Sequence, residues 1–70
     1  MERGKRFVIS DKNDYEAFYF MHEDGKDMSP EYTSIENAMK FTEAEINQIK
    51  QKFSQRAKDW KFREIKFSIF

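Results

Sequence analysis

The residues able to do chemistry in this chain are few, and their spacing serves no reaction. His22 is the lone histidine. It has neither a serine nor a cysteine arranged as a nucleophile beside it. Glu23, Asp24 and Asp27 follow it in a turn-like stretch. One imidazole among loop carboxylates is a poor metal site, so the sequence predicts no bound metal and no cofactor. The run from Asp11 to Glu16 has the acidic start of a calcium loop but lacks the glycine at its sixth position and the distal glutamate. Gly4 and Gly25 are the only glycines, which excludes a glycine-rich phosphate loop. Paired carboxylates are common, but a catalytic pair needs a shaped pocket, and 70 residues leave little room for one. The expectation is a protein that is not an enzyme.

Two patterns fit binding instead. In the tail, Trp60, Phe62 and Phe67 alternate with Lys61, Arg63 and Lys66, as if to stack bases and neutralise phosphates. Arg3-Gly4-Lys5-Arg6-Phe7-Val8 partly matches the RNA-recognition-motif signature, but Lys5 and Ser10 stand where stacking aromatics belong. A single-stranded nucleic-acid module using Arg3, Lys5, Trp60, Lys61, Phe62 and Arg63 is therefore one reading. A net charge of zero argues against it. The charge is uneven, however: residues 11–36 hold eight acids against Lys12 and Lys26, while residues 37–70 hold eight bases against four acids. Such asymmetry can steer a partner, and an acidic stretch can also stand in for nucleic-acid phosphates.

The elements that would position these groups start with a helix. Over 41–57, Thr42 and Glu45 form a capping box, and Phe41 and Ile46 occupy the staple positions. Ile46, Ile49, Phe53 and Ala57 make an apolar stripe. Glu43 and Glu45 near the start, and Lys50, Lys52 and Arg56 toward the end, complement the helix dipole. Residues 5–10 and 15–22 are rich in branched and aromatic side chains and read as a hairpin joined by a loop of four turn formers, 11–14. Asp24-Gly25 predicts a type I′ turn, after which a short strand at 26–28 would extend the sheet. Ser29-Pro30 should interrupt regular structure, and Ser34 can cap a short helical turn. The tail from Trp60 is β-like, and a bulge near Arg63-Glu64 would bring Trp60 and Phe62 to the same face as Ile65, Phe67 and Ile69.

The predicted fold is a single α+β domain over 1–70. A three-stranded antiparallel sheet, four-stranded if 26–28 joins it, carries the main helix on one face. The last strand lies beside the first, so the second strand, the first and the last are spatial neighbours. The core draws on eight Phe, three Tyr, one Trp and six Ile, with no Leu. With no Cys, neither a disulfide nor a zinc–thiolate site can staple the domain. No apolar run reaches the length of a membrane span and no signal peptide opens the chain, which suits the cytoplasm.

One helix covers one sheet face. If Phe7, Ile9, Phe18 and Phe20 meet the helix, then Val8, Tyr15, Ala17, Tyr19, Met21 and Lys66 face away from it. An apolar patch of this kind predicts a partner protein or a homodimer. The expected contact residues are Tyr15, Tyr19 and Met21, rimmed by Glu23, Asp24 and Asp27.

Ala38, Phe41, Thr42, Glu45 and Ile46 also fit a pattern in short phage and prophage proteins, where such a segment precedes a helix and a closing strand. The chain resembles these accessory proteins over about half its length. The resemblance implies a viral protein in the host cytoplasm, an inhibitor that docks on a host defence or replication protein.

Overall fold

The computed structural model describes residues 5–65. Its elements, in order, are β1 (Arg6–Asp11), β2 (Asp14–Met21), β3 (Met28–Tyr32), α1 (Glu43–Lys52), a 3-10 turn at Arg56–Asp59, and β4 (Trp60–Ile65). The strands form one antiparallel sheet in the order β3-β2-β1-β4. The α+β class, the fourth strand and the place of the last strand beside the first are as the sequence predicts.

The cap of α1 forms as expected. Thr42 Oγ1 accepts from the Glu45 N–H at 3.2 Å, and Glu45 Oε1 accepts from the Thr42 N–H at 2.8 Å. The helix is shorter than the 41–57 stripe implies. It stops at Lys52, and the chain continues through the 3-10 turn before Trp60. A tighter turn keeps Phe53 and Ala57 against the core while redirecting the chain.

The main departure from the sequence reading is in the β1–β2 hairpin. Asp11 pairs with Asp14 across a two-residue turn, and the Asp11 carboxylate accepts from the Asn13 N–H at 2.9 Å. A bulge between Ser10 and Asp11 then shifts the register, so that Ser10 opposes Phe18. The shift changes which β2 side chains share a face with Ile9. Tyr19 and Met21 join Phe7, Ile9, Phe41, Ile46, Ile49 and Trp60 under the helix. Phe18 and Phe20 turn to the second face with Val8. The expected assignment of these β2 residues is thus reversed.

That second face is not bare. Residues 33–40 cross it, and Ile35 and Ala38 pack on Val8 and Phe18. The ammonium of Lys40 gathers this irregular segment by donating to the carbonyls of Ile35, Glu36 and Ala38 at 2.8, 2.7 and 2.9 Å. The stretch at Ser34 is a turn rather than a helix, closed by the Asn37 N–H on the Ser34 carbonyl at 3.1 Å. The chain then passes through the sheet. Phe7 exchanges both backbone hydrogen bonds with Phe41 at 2.8 Å, and the Met21 N–H points at Met39 Sδ, 3.3 Å away. Residues 39–41 therefore fill a fork where β1 and β2 part, and Phe41 emerges on the helix side.

β3 runs through Ser29-Pro30, where a break was expected, and the ladder explains why. The Thr33 N–H reaches the Glu16 carbonyl at 3.2 Å and the His22 N–H reaches the Asp27 carbonyl at 2.9 Å. Antiparallel alternation then directs the backbone of Ser29 and Glu31 inward and that of Met28, Pro30 and Tyr32 outward. A proline at an outward position of an edge strand removes no ladder bond. The β2–β3 turn is not type I′, because Gly25 alone has positive φ, at +70°. It is closed by the Gly25 N–H on the His22 carbonyl at 2.9 Å.

β4 pairs with β1 in an unbroken register from Asp11↔Trp60 to Arg6↔Ile65. No bulge occurs at Arg63-Glu64. Trp60 and Phe62 face the helix, while Ile65 joins the second core. Lys66, Phe67 and Ile69 lie outside the described residues. Among the described residues, no helix is long and apolar enough to cross a membrane.

Candidate functional site

Of the predicted contact residues, Tyr19 and Met21 are half-buried and pack against the core under the helix. Tyr19 lies against Trp60 with ring centroids 4.7 Å apart, and its hydroxyl points to the Asp11 carboxylate at 3.4 Å. Met21 lies in the cluster beneath α1. Both are turned toward the helix by the register shift.

Asp27 has an internal task. Its carboxylate accepts from the Met28 N–H at 2.7 Å and pairs with Arg56. Arg56 also donates to the Met28 carbonyl at 2.7 Å. Both outward backbone groups of Met28 are thereby occupied, and the pair plugs the first half of the β3 edge. The Arg56 hydrogen bond, followed by that from the Met28 N–H, holds the Asp27 carboxyl below its ordinary pKa. Glu23 and Asp24 stand exposed in the β2–β3 turn, where the Asp24 carboxylate accepts from the Lys26 N–H at 2.9 Å. His22 is exposed, its Nε2 2.6 Å from Ser29 Oγ. No group of three His, Cys, Asp or Glu among the described residues could hold a metal ion.

Tyr15 is 73% exposed, and a residue absent from the sequence-based set stands beside it: Tyr32, 76% exposed. Ala17 opposes Tyr32. Tyr15 lies two residues before Ala17, where the β1–β2 register shifts, and it borders the same depression as Tyr32. Together with Glu16, Phe18, Ile35 and Arg63 they line an open depression of about 560 Å³. Hydrogen bonding to Asp14, and then the negative charge of Asp14, raise the Tyr32 phenol pKa above its ordinary value; Asp11 and Glu16 act in the same direction. Tyr32 lies just past Ser29-Pro30, in a stretch read as irregular. Continuing the Asp24-Gly25 hairpin past the proline would have paired it with Ala17.

The nucleic-acid set is divided by strand alternation. Trp60 is buried and Phe62 half-buried on the helix face, whereas Lys61 and Arg63 point to the opposite face. The aromatic rings also carry cations of their own. Lys50 sits 4.9 Å from the centre of Phe62, and Arg56 sits 5.5 Å from that of Trp60. Lys5 is exposed, and Arg3 lies outside the described residues. The alternation that suggests base stacking in the sequence is, in the fold, an inside–outside pattern.

Comparison with known proteins finds no matching family model, no matching curated protein and no matching solved structure.

Proposed function

We propose that this chain is a small binding protein that docks on a partner protein through the corner formed by Tyr15 and Tyr32. The observation that carries the reading is their joint exposure. Among the described residues, ten apolar side chains, Trp60 and Phe18 among them, are buried, while Tyr15 and Tyr32, on one depression, stand about three-quarters exposed. Tyrosine is enriched in contact surfaces because its ring gives a large apolar area at little cost in side-chain entropy and its hydroxyl still forms a hydrogen bond. Asp14 and Glu16 supply a charged margin, and Arg63 and Ile35 supply the floor between them.

The more specific form of the proposal is a phage-encoded inhibitor that occupies a host defence or replication protein in the host cytoplasm. Its support is the resemblance carried by Ala38, Phe41, Thr42, Glu45 and Ile46. In the fold Ala38, Phe41 and Ile46 are buried in the core and Thr42 and Glu45 cap the helix, so the motif serves folding. The test is affinity capture from a bacterial lysate with the wild-type chain and with Tyr15→Ala/Tyr32→Ala, both shown to be folded. The wild type captures a discrete protein, and the double variant binds it at least about tenfold more weakly. Equal capture by both chains rules out the corner.

A further inference from the structure

The two edges of the sheet are treated differently. On the β3 edge, Met28 has both outward groups occupied by Asp27 and Arg56, and Pro30 has no N–H to offer. Such plugs and prolines are how sheets prevent another strand from adding. On the β4 edge the Lys12 N–H reaches the Asp59 carbonyl at 2.8 Å, in the same register that pairs Lys61 with Ser10 and Arg63 with Val8. Alternation therefore directs the backbone of Lys61 and Arg63 inward to β1 and that of Trp60, Phe62 and Glu64 outward. The Trp60 N–H is taken by the Ala57 carbonyl. Among the described residues, no group meets the N–H or the carbonyl of Phe62 or Glu64. The β3 edge is plugged at Met28 and lacks a donor at Pro30, whereas β4 presents both groups of Phe62 and of Glu64.

We propose that β4 is a docking edge that accepts an extended, acidic segment of a partner protein as an additional strand. The side chains beside the edge define the occupant. Residues opposite one another in a sheet share a face, so the added strand would set every second side chain next to Lys61 and Arg63. Carboxylates suit those places, and apolar side chains suit the alternate places beside Trp60 and Phe62. A second copy of this chain does not fit. Two-fold antiparallel pairing of β4 with itself through the outward groups puts Lys61 opposite Arg63, Lys61 opposite Lys61, or Arg63 opposite Arg63. Each arrangement sets like charges face to face. The added strand would gain main-chain hydrogen bonds for affinity and the two cations for selectivity. This edge lies across β1 from the strands that bear Tyr15 and Tyr32; the two surfaces share Arg63, while the outward backbone groups of Phe62 and Glu64 belong to the edge.

The test uses the full chain and three probes: an alternating glutamate–valine peptide of about seven residues, its lysine–valine counterpart, and single-stranded oligothymidylate. Amide exchange is followed by residue. With the glutamate–valine peptide, the Phe62 and Glu64 amides slow at least about tenfold, while those of Lys61 and Arg63, already bonded to β1, do not change. Lys61→Glu weakens that peptide about tenfold and makes the lysine–valine peptide bind. Glu64→Pro removes one outward donor, as Pro30 does in β3, and abolishes the slowing with the ladder intact. Four results overturn the proposal. They are no slowing at Phe62 and Glu64, equal slowing by both peptides, slowing in the free protein as its concentration rises, and slowing by oligothymidylate alone.

Discussion

Replacing Tyr19 and Tyr15 in turn tests the register of the hairpin, on which the location of every surface residue depends. Complete removal of a buried aromatic ring costs about 3–5 kcal/mol, and a half-buried ring costs about 2. Tyr19 also lies against Trp60 with centroids 4.7 Å apart, a pairing worth about 0.5–1.5 kcal/mol beyond the area buried. Its hydroxyl bond to Asp11, at 3.4 Å, is long and adds less than about 0.5 kcal/mol. Tyr19→Ala should therefore destabilise the fold by about 3 kcal/mol, and Tyr19→Phe by less than about 0.5. Tyr15 is 73% exposed, so Tyr15→Ala should stay within about 0.5 kcal/mol of wild type. A domain of this size holds about 4–10 kcal/mol in all, so the difference is large on that scale. With a urea slope near 1 kcal/mol/M, Tyr19→Ala moves the unfolding midpoint down by about 2–3 M and Tyr15→Ala barely moves it. Equal midpoints for the two variants would mean that β2 presents its other face to the helix and that the bulge at Ser10 and Asp11 does not form.

Three further perturbations probe particular residues. Ser10 is fully buried and its hydroxyl has no partner among the described residues; Ser10→Ala should raise stability by about 1 kcal/mol and the melting temperature by about 4–8 °C, and a fall would show that the hydroxyl is bonded. Gly25 has φ at +70° with nothing within 4 Å of an added Cβ; Gly25→Ala should cost about 1 kcal/mol through the backbone alone, and Gly25→Asn less, as read by thermal melts. Asp27 titrates below its ordinary 3.8 because Arg56 and the Met28 N–H favour the carboxylate; its contribution is present above that value and lost as pH falls through the lowered folded pKa. Carboxyl NMR should place the Asp27 midpoint under 3.8 and return it toward that value in Arg56→Ala.

What the sequence revealed and what it concealed divide by range. The cap of α1 is local: Thr42 and Glu45 satisfy each other three residues apart, and no distant contact is needed to make that pair. The neighbourhood of β1 and β4 follows from connection rules. The face of β2 depends on the irregularity at Ser10 and Asp11, where β2 takes up three more residues than β1, and periodicity alone does not register such an insertion. A wrong parity there moved Tyr19 and Met21 from the core to the surface. Pro30 was read as a breaker because its tolerance depends on β3 being an edge and on the outward turn of that residue. Tyr32 was missed for the same reason. Asp27 was read as a surface charge because its partner, Arg56, lies 29 residues away. The alternation in the tail was legible as a pattern, but which half of it faced inward was not.

Accessibility of the tyrosine rings tests the account most directly, read by photochemically induced nuclear polarisation in the free protein and again with the captured partner bound. Tyr15 and Tyr32 should be polarised in the free protein and silent in the complex, with Tyr19 silent or weak in both. Strong polarisation of Tyr19 in the free protein, or signals from Tyr15 and Tyr32 that persist in the complex, would contradict it.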